Sequence, residues 1–552
     1  TVDQSEDDTG LLSQALHDIL TGISKALMNG TTRRRKLTRN EKLFYAALYN
    51  VKGPWAHSLV SGVMLGPSVD TTKKVRSELS QAFKPIWLEH GVKNVSSVFE
   101  VIQSLDSRFP GLSSAPGIIA EDATSLWRKI ELERITKHDG VIVEDLTVRV
   151  WGLNNCCTHE FIIHSLEDLQ KLMADCVADD VASYLYAWVW VPQVYHAPWF
   201  PLRIDITNNK FDRMQVFRWW RELDVACHTC GLLPIGHVGD GDARMRASSF
   251  YLMRELGNDT AIGPWLKERT GIKHKLLDFL KIAITVEGHK KLAFQDTMHL
   301  LWRWRRHLLT CKRAMHIGPG LFVNWRHLEG CPHLRGGDLK YTDKQNWAGT
   351  QRIFSLPTLL WLQSAMQADP EQHNYAGTIM FIWWGYQLQS AWYGDAGVDP
   401  LITIAHAASV LNGLLYWRFW VDKRALKKGA EGALEHYTIQ QNFMTRETFL
   451  DTIISCSTRI LMFVMYRDDP KLRKWKPVGN RVSSCFCEHL NQHIRSSETN
   501  TTAVTAWSAM NHVRHYIAQV QISAQADFDL PKGKRGMTHS VKAEGMAQSR
   551  AD

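Results

Sequence analysis

The run Leu232–Val238 (LLPIGHV) stops at Gly239 and is followed at once by Asp240 and Asp242. A short, nearly continuous apolar run of this kind reads as a strand buried on both faces. Residues 212–231 (DRMQVFRWWRELDVACHTCG) show the apolar spacing of an amphipathic helix and end in a glycine stop. A helix feeding a buried strand is part of a crossover, and this confines the chain to folds in which helices cover a sheet with parallel neighbours. Carboxylates at the end of such a strand are either turn formers or metal ligands.

Upstream, residues 115–151 carry β-branched runs, with Lys137–Gly140 (KHDG) as a turn, and residues 183–195 (SYLYAWVWVPQVY) form a strand too apolar for an open edge. The expected order is three antiparallel strands, a crossover helix and a parallel strand. Beyond residue 250 the pattern is helical: helices are expected at 263–285, 296–315, 356–368, 374–393, 400–428, 445–466, 482–496 and 502–525. With 552 residues the chain exceeds a single compact core. The expected division is a helical N-terminal region (1–110), the first part of an α/β core (111–255), a mainly helical insertion (256–470) with the last core strand near 290–295, a return to the core (471–527), and a disordered basic tail (528–552). Two helices are expected within 72–106, and an extra loop around 152–182.

The net charge of +9 favours a polyanionic partner. Ten cysteines without the density of a disulfide framework point to reduced thiols. The most apolar stretch, 376–394, is broken by Gln387 and Gln389 and reads as a buried helix, so no membrane partner is expected. The chain opens at Thr1, which is compatible with a piece of a longer protein, and shows no signal-peptide pattern there. The single CxxC at Cys227–Cys230 lacks a second pair at zinc spacing. The sequence has no GxSxG, no dinucleotide fingerprint and no GxxxxGK[ST] loop, so a nucleotide requirement is not supported.

A site that moves phosphoryl groups with two metal ions needs several carboxylates on rigid elements. Asp122 in GIIAEDAT, Asp240 in HVGDGD and Glu488 in CFCEHL lie on the first strand, the end of the strand after the helix, and a late helix; Asp296 in KLAFQDTMHLL starts another helix. Each also has a structural reading: turn residues for Asp122 and Asp240, a helix N-cap for Asp296, a solvated position for Glu488. Asp242 competes with Asp240, and Glu121 with Asp122, although alternation points Glu121 and Asp122 to opposite faces.

These stretches, with FQDTMHLLWRWRRHLL and DKQNW, resemble the motif series of cut-and-paste DNA transposases of the DDE type, with P-element and hAT relatives and domesticated transposase-derived proteins nearest. The resemblance implies an α/β RNase H-like core, a mixed five-stranded sheet with flanking helices, carrying a large all-helical insertion. It implies Asp122, Asp240 and Glu488 as catalytic residues and metal ligands, with Asp242 and Asp296 as alternates, and two Mg²⁺ or Mn²⁺ ions as cofactors. It further implies cleavage and strand transfer at transposon ends, a homodimer or higher oligomer, and a nuclear protein. The alternatives are an inactive, domesticated DNA-binding protein and a metal-dependent nuclease without joining activity. Expected DNA contacts are Arg303, Arg305 and Arg306, which interleave with Trp302 and Trp304, and Lys471, Arg473, Lys474, Lys476 and Arg481, which precede Glu488. His299 lies where related enzymes carry a histidine.

Overall fold

The structure, a computed structural model, describes most of residues 95–496, with short breaks and a longer one over 260–280, together with strands at 86–88 and 91–93 and the single residues Tyr45, Val513 and Tyr516. Of the helix expected at 502–525 only Val513 and Tyr516, both helical, are described; the helix expected within 1–30 and the basic tail lie outside the described residues.

The sheet is built from β1 (Ile86–Leu88), β2 (Gly91–Lys93), β3 (Pro116–Ser125), β7 (Tyr184–Pro192), β8 (Phe200–Thr207), β9 (Leu233–Gly239), β10 (Gly257–Asp259), β11 (Lys281–Ile284) and β12 (Lys290–Gln295). Across the sheet the order is β1-β2-β8-β7-β3-β9-β12-β11-β10. β3 is central: it pairs antiparallel with β7 and parallel with β9, which in turn runs parallel to β12. β7 explains why the middle is stable. Trp188 and Val189, whose side chains point to opposite faces, are both fully buried, so this strand is covered on each face.

The expected mixed sheet with flanking helices is present, but with nine strands rather than five. Two additions account for the difference. β1 and β2 stand where helix was expected; β2 pairs with β8 (Arg203 with Lys93, Asp205 with Gly91) and covers what would otherwise be an exposed edge. At the other edge, residues 281–284 form β11 rather than the end of a helix, and β10 and β11 extend the sheet beyond β12.

The third antiparallel strand is not in 130–151, as the β-branched runs suggest, but at β8. Its polar residues disguise it: Arg203 and Asp205 are buried, with Arg203 Nη2 2.8 Å from Asp205 Oδ2 and Nη1 2.6 Å from Glu222 Oε2. The charges pair within the layer, so the strand tolerates them. The earlier segment instead makes a side module of β4 (Glu131–Arg134), β5 (Val148–Trp151), β6 (Ile162–Ile163) and helix α2 (Leu166–Asp175), with a small core of Val148, Val150, Leu153, Ile163 and Leu172. The expected KHDG turn falls within a short hairpin in which Lys137 faces Ile142.

Helix α1 (Val95–Ser104) and helix α3 (Arg213–Thr229) belong to the core layers, and α4 (Ala243–Leu256) follows β9. After β12 the chain becomes mostly helical rather than all-helical, since a short hairpin of His316–Gly318 and Leu321–Phe322 interrupts it: α5 (Thr297–Thr310), α6 (Trp347–Ile353), α7 (Leu356–Ala368), α8 (Tyr375–Tyr393), α9 (Pro400–Leu426) and α10 (Arg446–Asp468). Gly385 lets α8 lie against Phe354, since a Cβ there would meet the Phe354 ring at 2.2 Å. Among the described residues, α10 alone is long and apolar enough to cross a membrane, yet most of its residues are buried and it packs against β12, α5 and α9. Helix α11 (Cys485–Ser496) returns the chain to β3 and β7.

Candidate active site

Alternation along β3 sends neighbouring carboxylates to opposite faces. Glu121 is fully buried against α3, where its Oε2 accepts hydrogen bonds from Trp220 Nε1 at 2.8 Å, Trp188 Nε1 at 3.1 Å and Tyr186 Oη at 3.2 Å. Burial outweighs these donors and pushes its carboxyl up to about 8. Glu121 is thus a structural acid tying β3 to β7 and α3.

Asp122 faces the other way, toward α11, where Asn491 Nδ2 donates to its Oδ2 at 3.2 Å. Its carboxyl is also pushed up to about 8, first by burial, then by the charges of Asp240 and Glu488, with His299 pulling the other way. Asp240, at the end of β9, and Glu488, on α11, therefore both act on Asp122 of β3.

Asp240 is exposed at the end of β9, and its Oδ1 accepts the Asp242 N–H at 3.0 Å. Asp242 is committed elsewhere. Arg244 donates to it through Nε at 3.0 Å, Nη2 at 3.0 Å and its backbone N–H at 2.7 Å. Burial would raise the Asp242 carboxyl, but these bonds hold it below the usual range. Geometry therefore favours Asp240 over Asp242 as the free carboxylate.

Asp296 is also fully engaged. Its Oδ1 accepts the N–H groups of Met298 (2.7 Å) and His299 (3.1 Å), capping α5. Its Oδ2 accepts from the Ser483 hydroxyl (2.8 Å), the Ser484 hydroxyl (2.8 Å) and the Ser484 N–H (2.6 Å). With five donors and no exposure, it has the N-cap role rather than that of an alternate ligand.

Glu488 lies in the first turn of α11, with Oε1 3.0 Å from His299 Nε2. Burial alone would lower the His299 pKa, but the charge of Asp296, the bond to Glu488 and the charges of Glu488 and Asp240 raise it to about 9. His299 is thus a cation set among acids. Burial pushes the neighbouring Cys485 and Cys487 thiols well up, which leaves them inert.

Among the described residues, no three His, Cys, Asp or Glu side chains stand close enough together to hold an ion as placed. The chemistry of the donor set nevertheless suits one. Three carboxylates, two of whose charges raise the proton affinity of the buried Asp122, are hard oxygen donors short of positive charge, which is what Mg²⁺ or Mn²⁺ would supply.

The expected DNA contacts divide. Arg306, Lys471, Arg473, Lys474 and Lys476 are exposed. Arg303 is ion-paired with Asp451 at 2.5 Å. Two expectations are corrected. Arg305 is buried and donates to the carbonyls of Asp338, Lys340 and Asp343, at 2.7 to 3.1 Å. Arg481 is buried and donates to the Pro192 and Ala197 carbonyls at 2.5 and 2.8 Å. Both guanidiniums anchor loops, out of reach of a DNA backbone. Reading the sequence missed Asn491, although it lies three residues beyond Glu488 on one helix face, and also Asp451, whose α10 is remote in sequence.

This arrangement is a transposase-like α/β fold: a mixed sheet flanked by helices, with a long helical excursion. The Drosophila P element transposase strand transfer complex has a similar structure, with a TM-score of 0.57 and 15% sequence identity over 96% of this chain and 99% of that one. No family profile matches the sequence, and no curated protein does. The likeness is therefore one of fold.

Proposed function

We propose that this chain is a DDE-type DNA transposase with an RNase H-like core, cutting phosphodiesters and joining 3′-hydroxyl ends to target DNA. One observation carries the reading. Asp122, Asp240 and Glu488 come from three separate elements, and the charges of Asp240 and Glu488 add to burial, the larger cause, in raising the Asp122 carboxyl to about 8. A neighbour with the same fold is a strand transfer complex, which supports DNA as the partner.

In this reading Asp122, Asp240 and Glu488 hold two Mg²⁺ or Mn²⁺ ions, which when bound supply Lewis-acid activation of the attacking and leaving oxygens. Asn491 orients Asp122, and His299 holds Glu488 until it is needed as a ligand. Arg306 and the basic loop at 471–476 meet the DNA backbone. By analogy, two ends held together call for a dimer or larger assembly, acting in the nucleus. The test is a supercoiled plasmid with a short 3′-hydroxyl duplex and Mn²⁺. Nicking and end joining that vanish in Asp122→Asn, Asp240→Asn and Glu488→Gln support the reading; full activity in any of these variants removes that residue from the site.

A second reading has its own support. The His299–Glu488 contact and the absence, among the described residues, of three converged ligands suit a domesticated, inactive DNA-binding protein. DNA binding without Mn²⁺-dependent turnover would favour it, and nicking without joining would favour a nuclease.

A further inference from the structure

We propose that Asp451, on the insertion helix α10, is a positioning residue for Asp240, so that the helical insertion shapes the candidate ion site. Only the metal-binding arm of this proposal rests on the function proposed above.

Asp451 is fully buried. Its two oxygens accept from two arginines: Arg246 of α4 through Nε and through Nη2 (2.9 Å), and Arg303 of α5 through Nη1 (2.5 Å). The same guanidiniums then reach the main chain of the turn that ends β9. Arg246 Nη2 donates to the Gly241 carbonyl at 2.6 Å, and Arg303 Nη2 to the Asp240 carbonyl at 3.4 Å. Two successive carbonyls of the turn, those of Asp240 and Gly241, are thus pinned, while among the described residues the Asp240 carboxylate itself accepts only the Asp242 N–H.

Gly241 shows how closely the turn sits on this group. Its φ is +90°, and a Cβ would meet Arg303 Nη2 at 2.7 Å and Asp451 Oδ2 at 2.9 Å. Two guanidiniums share one carboxylate, so the group carries excess positive charge beneath an acidic site. Removing the carboxylate would strand both cations and release their hold on the turn. Apolar packing would be enough to dock α10; a buried ion network aimed at one turn does something more specific.

The test uses the full chain, with Mn²⁺ affinity read from the free-ion electron paramagnetic resonance signal and amide exchange read over peptides spanning 233–246. Asp451→Asn is expected to weaken Mn²⁺ binding by about 10- to 100-fold, as loss of a group that orients a ligand does. It should also speed exchange at 239–246 while leaving β3 and β7 protected. Arg303→Gln, which keeps the Asp451–Arg246 pair, should show a smaller change in the same direction, and it carries the test if Asp451→Asn does not fold. The two changes combined should add to less than their sum. Unchanged exchange at the turn, or exchange that rises evenly across the sheet, overturns the proposal. If the wild-type chain binds no Mn²⁺, the metal reading fails, and the exchange result alone decides the role of Asp451.

Discussion

His299 and Glu488, 189 positions apart, meet with Nε2 3.0 Å from Oε1, at the point where the helical insertion leaves the sheet and α11 returns to it. The pairing makes stability depend on pH. The His299 pKa is raised to about 9, above its unfolded value, so its contribution is complete below about pH 6.5 and is lost as pH rises through 9. The Asp122 and Glu121 carboxyls, raised to about 8, act in the same direction, because the folded state holds protons that the unfolded state has released. The melting temperature of the metal-free protein is expected to fall from pH 6 to about pH 9, and His299→Gln should flatten the upper part of that fall. A profile that rises over this range would contradict the assignment.

Neutralising Asp122 separates chemistry from folding. Asp122→Asn is expected to abolish Mn²⁺-dependent nicking and yet to raise the metal-free melting temperature at pH 8.5, because a buried charge repelled by Asp240 and Glu488 has been removed. Calorimetry beside a plasmid assay reads both. A lowered melting temperature would mean that the acids do not repel one another.

Glu121 should behave in the opposite way. Glu121→Ala leaves Trp220, Trp188 and Tyr186 as buried donors without their acceptor, at a cost of about 3 kcal/mol or more. Urea denaturation checks this, and a variant as stable as the parent would show that water reaches that face of β3.

The basic residues make a paired prediction. Replacing Lys471, Arg473, Lys474 and Lys476 together with alanine should shallow the slope of log affinity for duplex DNA against log salt by about 0.9 for each phosphate that is no longer neutralised. Arg305→Ala should leave that slope alone and instead lower stability by about 2–4 kcal/mol, because it vacates three carbonyls. Fluorescence anisotropy across a salt series distinguishes them.

Much of this architecture can be read from the residues. The buried strand ending at Gly239, the helix before it and the long helical excursion follow from apolar spacing, and the three acids are picked out by their places within the first strand, at the end of the strand after the helix and on a late helix. β8 could not be read in this way, because Arg203 and Asp205 look solvated until they pair with each other inside the sheet. Asp296 looks equally fit to be a ligand or a cap, and only the serines brought in from 483 and 484 decide between them. Arg305 and Arg481 carry the same charge as their exposed neighbours, and nothing local shows that backbone carbonyls already occupy them. Pairings made across more than a hundred positions leave little trace in a single sequence.

The Asp296 carboxylate has a consequence for the order in which the molecule is made. Two of its donors lie beside it in sequence, but Ser483 and Ser484 are 187 and 188 positions further on. Until those serines are made, this acid has only its two local donors, so it cannot latch the sheet while the helical excursion is still being synthesised. The entropy of closing such a loop grows only slowly with its length, about 0.6 kcal/mol per doubling, so the latch remains thermodynamically cheap. The delay is kinetic: the acidic cluster can come together only after the ribosome has passed residue 488, and a chain stopped short of it would carry Asp122 and Asp240 but not their third partner.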